Sequence, residues 1–87
     1  MKLKDGFVLG EIAGEIVVLP SGEELNLNIM TTLNASGKFL WELLQQETTE
    51  EKMVDAILAG YEIGREEAAE YVHDFVEKLR INGFLAG

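Results

Sequence analysis

Leu33-Asn34-Ala35-Ser36-Gly37-Lys38-Phe39-Leu40-Trp41-Glu42-Leu43-Leu44 is the stretch on which the fold turns. Asn34 is a good helix N-cap, because its side-chain oxygen accepts from a free N–H of the first turn. Behind it the spacing predicts a helix over Ala35 to Gln45. Phe39, Leu40, Leu43 and Leu44 share one face of that helix, and Trp41 widens it. Ahead of it, Ile29-Met30-Thr31-Thr32-Leu33 reads as a short strand with two β-branched threonines. The junction is therefore strand to capped helix.

Outward from this junction, strand character fills the first third of the chain. Phe7-Val8-Leu9-Gly10-Glu11-Ile12 and Glu15-Ile16-Val17-Val18-Leu19 are apolar and rich in β-branched residues. Ala13-Gly14 between them reads as a tight hairpin turn. Pro20-Ser21-Gly22 stops the second strand, and residues 23–28 form a polar connection.

In the other direction two more helices follow. The second begins at Thr48 or Thr49, and Thr48 with Glu51 fits a capping box. Met53, Val54, Ile57, Leu58 and Tyr61 continue it with helical spacing. The third begins near Gly64, with Ile63 and Ala68 placed as a hydrophobic staple. Ala68, Val72, Phe75, Val76 and Leu79 form its apolar stripe. Lys78 and Arg80 sit near its C-terminus, where the macrodipole favours cations. Asn82-Gly83 ends it, and Phe84-Leu85 folds back as an apolar tail. The expected fold class is α+β: a three-stranded antiparallel β-meander followed by three α-helices. That order is winged helix-turn-helix-like, and residues 1–87 are expected to form a single domain.

Composition narrows the function. The chain has 87 residues, 47% of them hydrophobic, and carries a formal net charge of −9. Such a charge argues against docking on phosphate backbones or anionic membranes, which needs clustered Lys and Arg. Cysteine is absent, so a disulfide framework or Cys-based metal site is excluded. No secretory or membrane-spanning segment is read in the sequence, and the expected location is the cytoplasm.

No catalytic constellation emerges. His73 is the one histidine. With Glu70 it makes an isolated Glu-x-x-His pair, which reads as a solvated surface residue rather than a metal ligand. Glu50-Glu51 and Glu66-Glu67 lie in first turns, where they complement helix dipoles. Phosphate-binding glycine motifs and a Gly-x-Ser-x-Gly context are missing. The expectation is a protein that is not an enzyme and has no cofactor. A DNA-binding winged-helix regulator is the alternative. It would put several basic residues on its recognition helix, whereas the second helix has Lys52 against Glu50, Glu51 and Asp55.

Several words carry a more specific resemblance. They are Lys4-Asp5-Gly6-Phe7, Leu33-Asn34-Ala35-Ser36-Gly37, Leu40-Trp41-Glu42-Leu43-Leu44, Tyr61-Glu62-Ile63, and the run from Val76 to Leu85. Together they resemble the PqqD-like family, the RiPP recognition elements or peptide chaperones, across nearly the whole chain. The resemblance implies a non-catalytic protein that binds the leader of a ribosomally made precursor peptide. It further implies presentation of that leader to a separate modifying enzyme, often a radical SAM protein. The leader would add as a strand to Ile29, Met30, Thr31, Thr32 and Leu33. It would then pack against the third helix at Tyr71, Asp74, Lys78 and Ile81. Gly64 stands where the family leads one to expect an Asp or Ser cap, and Gly10 where a larger residue is expected.

Overall fold

The computed structural model describes residues 1–21 and 31–86. Strand β1 spans Phe7–Ile12, β2 Glu15–Pro20 and β3 Thr31–Leu33. Helix α1 spans Ala35–Leu43, α2 Glu50–Gly60 and α3 Arg65–Ile81. The sheet is antiparallel in the order β1-β2-β3, so the expected meander-plus-three-helix architecture is present. The polar connection expected at 23–28, and Ile29 and Met30 of the expected third strand, lie outside the described residues.

The hairpin explains the sheet's register. Ala13 and Gly14 both have positive φ, 53° and 81°, the type I′ geometry whose twist matches the flanking strands. The turn brings Ile12 opposite Glu15, and pairing then runs back to Phe7 opposite Pro20. Val18, on the inner face of β2, is fully buried in the core.

The core is built where the three helices meet that face. Leu40, Trp41 and Leu44 come from α1, and Met53, Val54 and Ile57 from α2. Ala68, Val72, Phe75, Val76 and Leu79, the stripe read from the sequence, are all buried on α3. Phe84 closes the base, packing edge-on to Phe7 at 4.9 Å and to Trp41 at 5.7 Å between ring centroids. It is delivered there by a Schellman cap. Gly83 takes φ 77°, its N–H donates to the Arg80 carbonyl, and the Phe84 N–H donates to the Leu79 carbonyl at 2.9 Å. The chain's two ends are tied together by Lys4 N–H to the Phe84 carbonyl and Ala86 N–H to the Lys2 carbonyl, each 2.8 Å.

Two local expectations need correction. Helix α2 is capped by Thr49, whose Oγ1 accepts from the Lys52 N–H. Thr48 instead turns inward, is buried, and donates its N–H to the Met1 carbonyl. The reciprocal capping box with Glu51 is therefore not formed, because a tertiary contact has claimed Thr48. Helix α1 stops at Leu43, two residues short of Gln45, as the Leu44 N–H already bonds both Leu40 and Trp41 carbonyls and the ladder gives way to a turn.

Candidate functional site

The phase of hydrogen bonding across the sheet decides what β3 offers. In an antiparallel pair each residue aims its N–H and C=O to one side, and the next residue aims them to the other. The residues flanking a type I′ two-residue turn form a hydrogen-bonded pair, so Ile12 pairs in this way with Glu15. The alternation then makes Gly10–Val17 and Val8–Leu19 bonded pairs. The Ser21 N–H to Gly6 carbonyl bond at 2.8 Å continues the same phase. Ile16 and Val18 must therefore aim at β3, where they face Leu33 and Thr31. Thr32 aims its N–H and C=O away from β2. Among the described residues no strand pairs with that side. An extended chain laid there would exchange two main-chain hydrogen bonds with Thr32.

Beside this edge lies a cleft of about 260 Å³ between the β3–α1 junction and α3. Leu33, Asn34 and Gly37 form one wall, and Tyr71, Asp74, Phe75 and Lys78 form the other. On α3 the polar members recur at spacings of three and four, one stripe beside the apolar one. Its floor is apolar, from Leu33 and the Phe75 ring, and its rim carries one acid and one base. Asp74 and Lys78, four apart, do not form an ion pair with each other among the described residues. Both are exposed.

Three residues that sequence reasoning did not place in the site hold its geometry. The Asn34 side-chain Oδ1 accepts from the Gly37 N–H at 2.8 Å and from the Ser36 hydroxyl at 3.1 Å. Ser36 Oγ also lies 2.6 Å from the Tyr71 hydroxyl. A serine hydroxyl has one proton. With that proton on Asn34, Tyr71 must donate to Ser36. The chain Tyr71 to Ser36 to Asn34 thus pins a tyrosine of α3 to the cap of α1 and sets the cleft's width at one end. Gly37 sets it in the middle. A Cβ there would meet Asn34 Oδ1 at 3.1 Å and Phe75 Cε2 at 3.4 Å, so the ring approaches the helix only because the side chain is missing. The Asn-x-Ser-Gly spelling was visible as a cap, but its partner 35 residues away was not.

Of the residues expected to contact a peptide, Leu33, Tyr71, Asp74 and Lys78 line this cleft and Thr31 and Thr32 form the adjoining strand. Ile81 belongs to the same helical stripe but lies outside the cleft, 81% exposed. It is the last residue of α3, one turn past the part facing Leu33. Arg80 pairs with Glu77 on the helix surface, and His73 is exposed, 3.2 Å from Glu50 of α2.

Three antiparallel strands followed by three helices, with a free strand edge set against the last helix, define a winged-helix-like α+β protein with a strand-accepting cleft. The sequence profile of coenzyme PQQ synthesis protein D (PqqD) matches residues 15–85, and the chain belongs to that family. No curated protein matches the chain. Among solved structures it is similar to TbiB1 in complex with the TbiA(beta) leader peptide, at 31% identity and a TM-score of 0.75. That alignment covers 100% of this chain and 96% of the other. Among the described residues no helix is long and apolar enough to cross a membrane.

Proposed function

We propose that residues 1–87 act as one non-catalytic peptide-binding unit, a RiPP recognition element. In this reading it holds the leader of a ribosomally made precursor peptide by β-augmentation and presents it to a modifying enzyme of the radical SAM type. The observation that carries the proposal is the free edge at Thr32 beside the α3 cleft. The leader supplies the fourth strand, and main-chain bonds to Thr32 give affinity while the cleft selects side chains. Membership of the PqqD family supports this, as does the likeness to TbiB1, which was solved with a leader peptide bound. The acidic surface suits a partner that is not nucleic acid. We further propose a cytoplasmic location, where ribosomal precursors arise.

The test is an amide-resolved NMR titration of the labelled protein. The probes are synthetic leaders of short open reading frames from the source genome, with the TbiA(beta) leader alongside. The largest shifts are expected at Thr31–Leu33 and at Tyr71, Asp74 and Lys78. Shifts concentrated on α2 or the first hairpin, with Thr31–Leu33 silent, would sink the proposal.

A further inference from the structure

A second cavity, of about 320 Å³, lies beyond the first. Its lining is Ser36, Ile57, Tyr61, Glu62, Ile63 and Tyr71. Tyr71 borders both cavities, and the Ser36–Tyr71 hydrogen bond at 2.6 Å is the ridge between them. Ile57 is buried at its base, 2% exposed. Tyr61 stands as one wall, braced edge-on by Phe39 at 6.0 Å between centroids. Ile63 is half-buried and supplies a second apolar wall. The Glu62 carboxylate marks the rim.

We propose that this cavity is a specificity subsite that takes one large apolar side chain of the same bound peptide. The inference rests on the peptide-binding reading above. Continuity is the first argument. A strand added to the free edge of β3 and carried past Leu33 arrives at Asn34 and Ser36, where the ridge stands. Scale is the second. From Asp74 to a point one helical turn beyond Tyr71 is about 10 Å along α3, or roughly three residues of extended chain. A peptide seated in the first cleft therefore reaches the second within about two to four residues. Chemistry is the third: isoleucine and tyrosine faces with one carboxylate favour an aliphatic or aromatic residue and repel an acid.

The experiment is a selection from a displayed library of random 15-residue peptides on the intact protein. It is repeated on Tyr61→Ala, Ile63→Trp and Thr32→Pro variants whose amide spectra remain folded. Peptides enriched on the unaltered protein should share a large apolar residue at one position. Replacing that residue by Ala should weaken binding roughly ten- to a hundredfold, as expected for burying one such side chain. Tyr61→Ala and Ile63→Trp should erase the preference at that position, and Thr32→Pro should weaken all the peptides. Thr32-dependent binding with the preference intact in both pocket variants overturns the subsite and leaves the cleft standing. Binding that responds to the pocket variants but not to Thr32→Pro overturns it too, since the cavity would then serve a different ligand. Binding indifferent to all three variants removes the cleft reading and the subsite together.

Discussion

Proline at two adjacent positions of β3 separates the sheet from the site. Thr31 aims its N–H at Val18 of β2, and Thr32 aims its N–H at the free edge, by the hydrogen-bond phase that the Ala13–Gly14 turn sets. Proline removes an N–H and holds φ near −65°, which an edge strand tolerates where the lost donor faces outward. The residue before it must stay extended, and Thr31 already is. Thr32→Pro therefore loses no ladder bond of the free protein, and its melting temperature should fall by only a few degrees. A bound peptide loses the Thr32 donor, and one of its carbonyls is left without a partner. A net hydrogen bond contributes about 0.5–1.5 kcal/mol, and an unsatisfied buried acceptor costs about 1–3. The loss should be about 1–3 kcal/mol, or roughly 5- to 150-fold in Kd. Thr31→Pro breaks a bond inside a strand of three residues, so it should destabilise the fold by a similar amount. Isothermal titration with a bound leader, next to thermal melts followed by circular dichroism, reads both effects. If Thr32→Pro unfolds the domain as badly as Thr31→Pro, or leaves Kd untouched, the assigned phase or the bound edge is wrong.

Phe75→Ala should cost roughly 3–5 kcal/mol, the range for a buried phenylalanine. A urea midpoint and slope equal to the parent's would remove Phe75 from the core. Gly37→Ala should destabilise by about 1–2 kcal/mol despite alanine's better helix propensity, because the new Cβ crowds Asn34 and Phe75; an increase in stability would show that the wall yields. Ala13→Asn should stabilise by up to about 1 kcal/mol, since φ 53° strains alanine and suits asparagine in a type I′ turn; the readout is a melting temperature a few degrees higher. With net charge −9, the protein should give no salt-sensitive shift of duplex DNA in a gel at moderate ionic strength; a specific shift at submicromolar protein would revive the regulator reading.

What the sequence by itself determined is what lies within a few residues along the chain. The Asn34 cap, the Ala13–Gly14 turn, the apolar stripe of α3 and its Gly83 terminator are all local, and each took the form its spelling required. The order of three strands and three helices follows from them. The line of Tyr71, Asp74 and Lys78 beside the apolar stripe was legible for the same reason, as helical spacing puts residues three and four apart on one side. Tertiary structure decided the contacts whose partners are distant. Thr48 left its expected capping role because the Met1 carbonyl claims its N–H. Tyr71 became part of a wall because Ser36, far off in the chain, meets its hydroxyl. Which threonine of β3 faces outward also lay beyond composition and spacing. Strand propensity is equal for the two, and their roles differ only through register, which is carried from the hairpin turn across β2 to the edge. A strand's side-chain pattern is a property of its own residues, but the direction of its hydrogen bonds is a property of its neighbours.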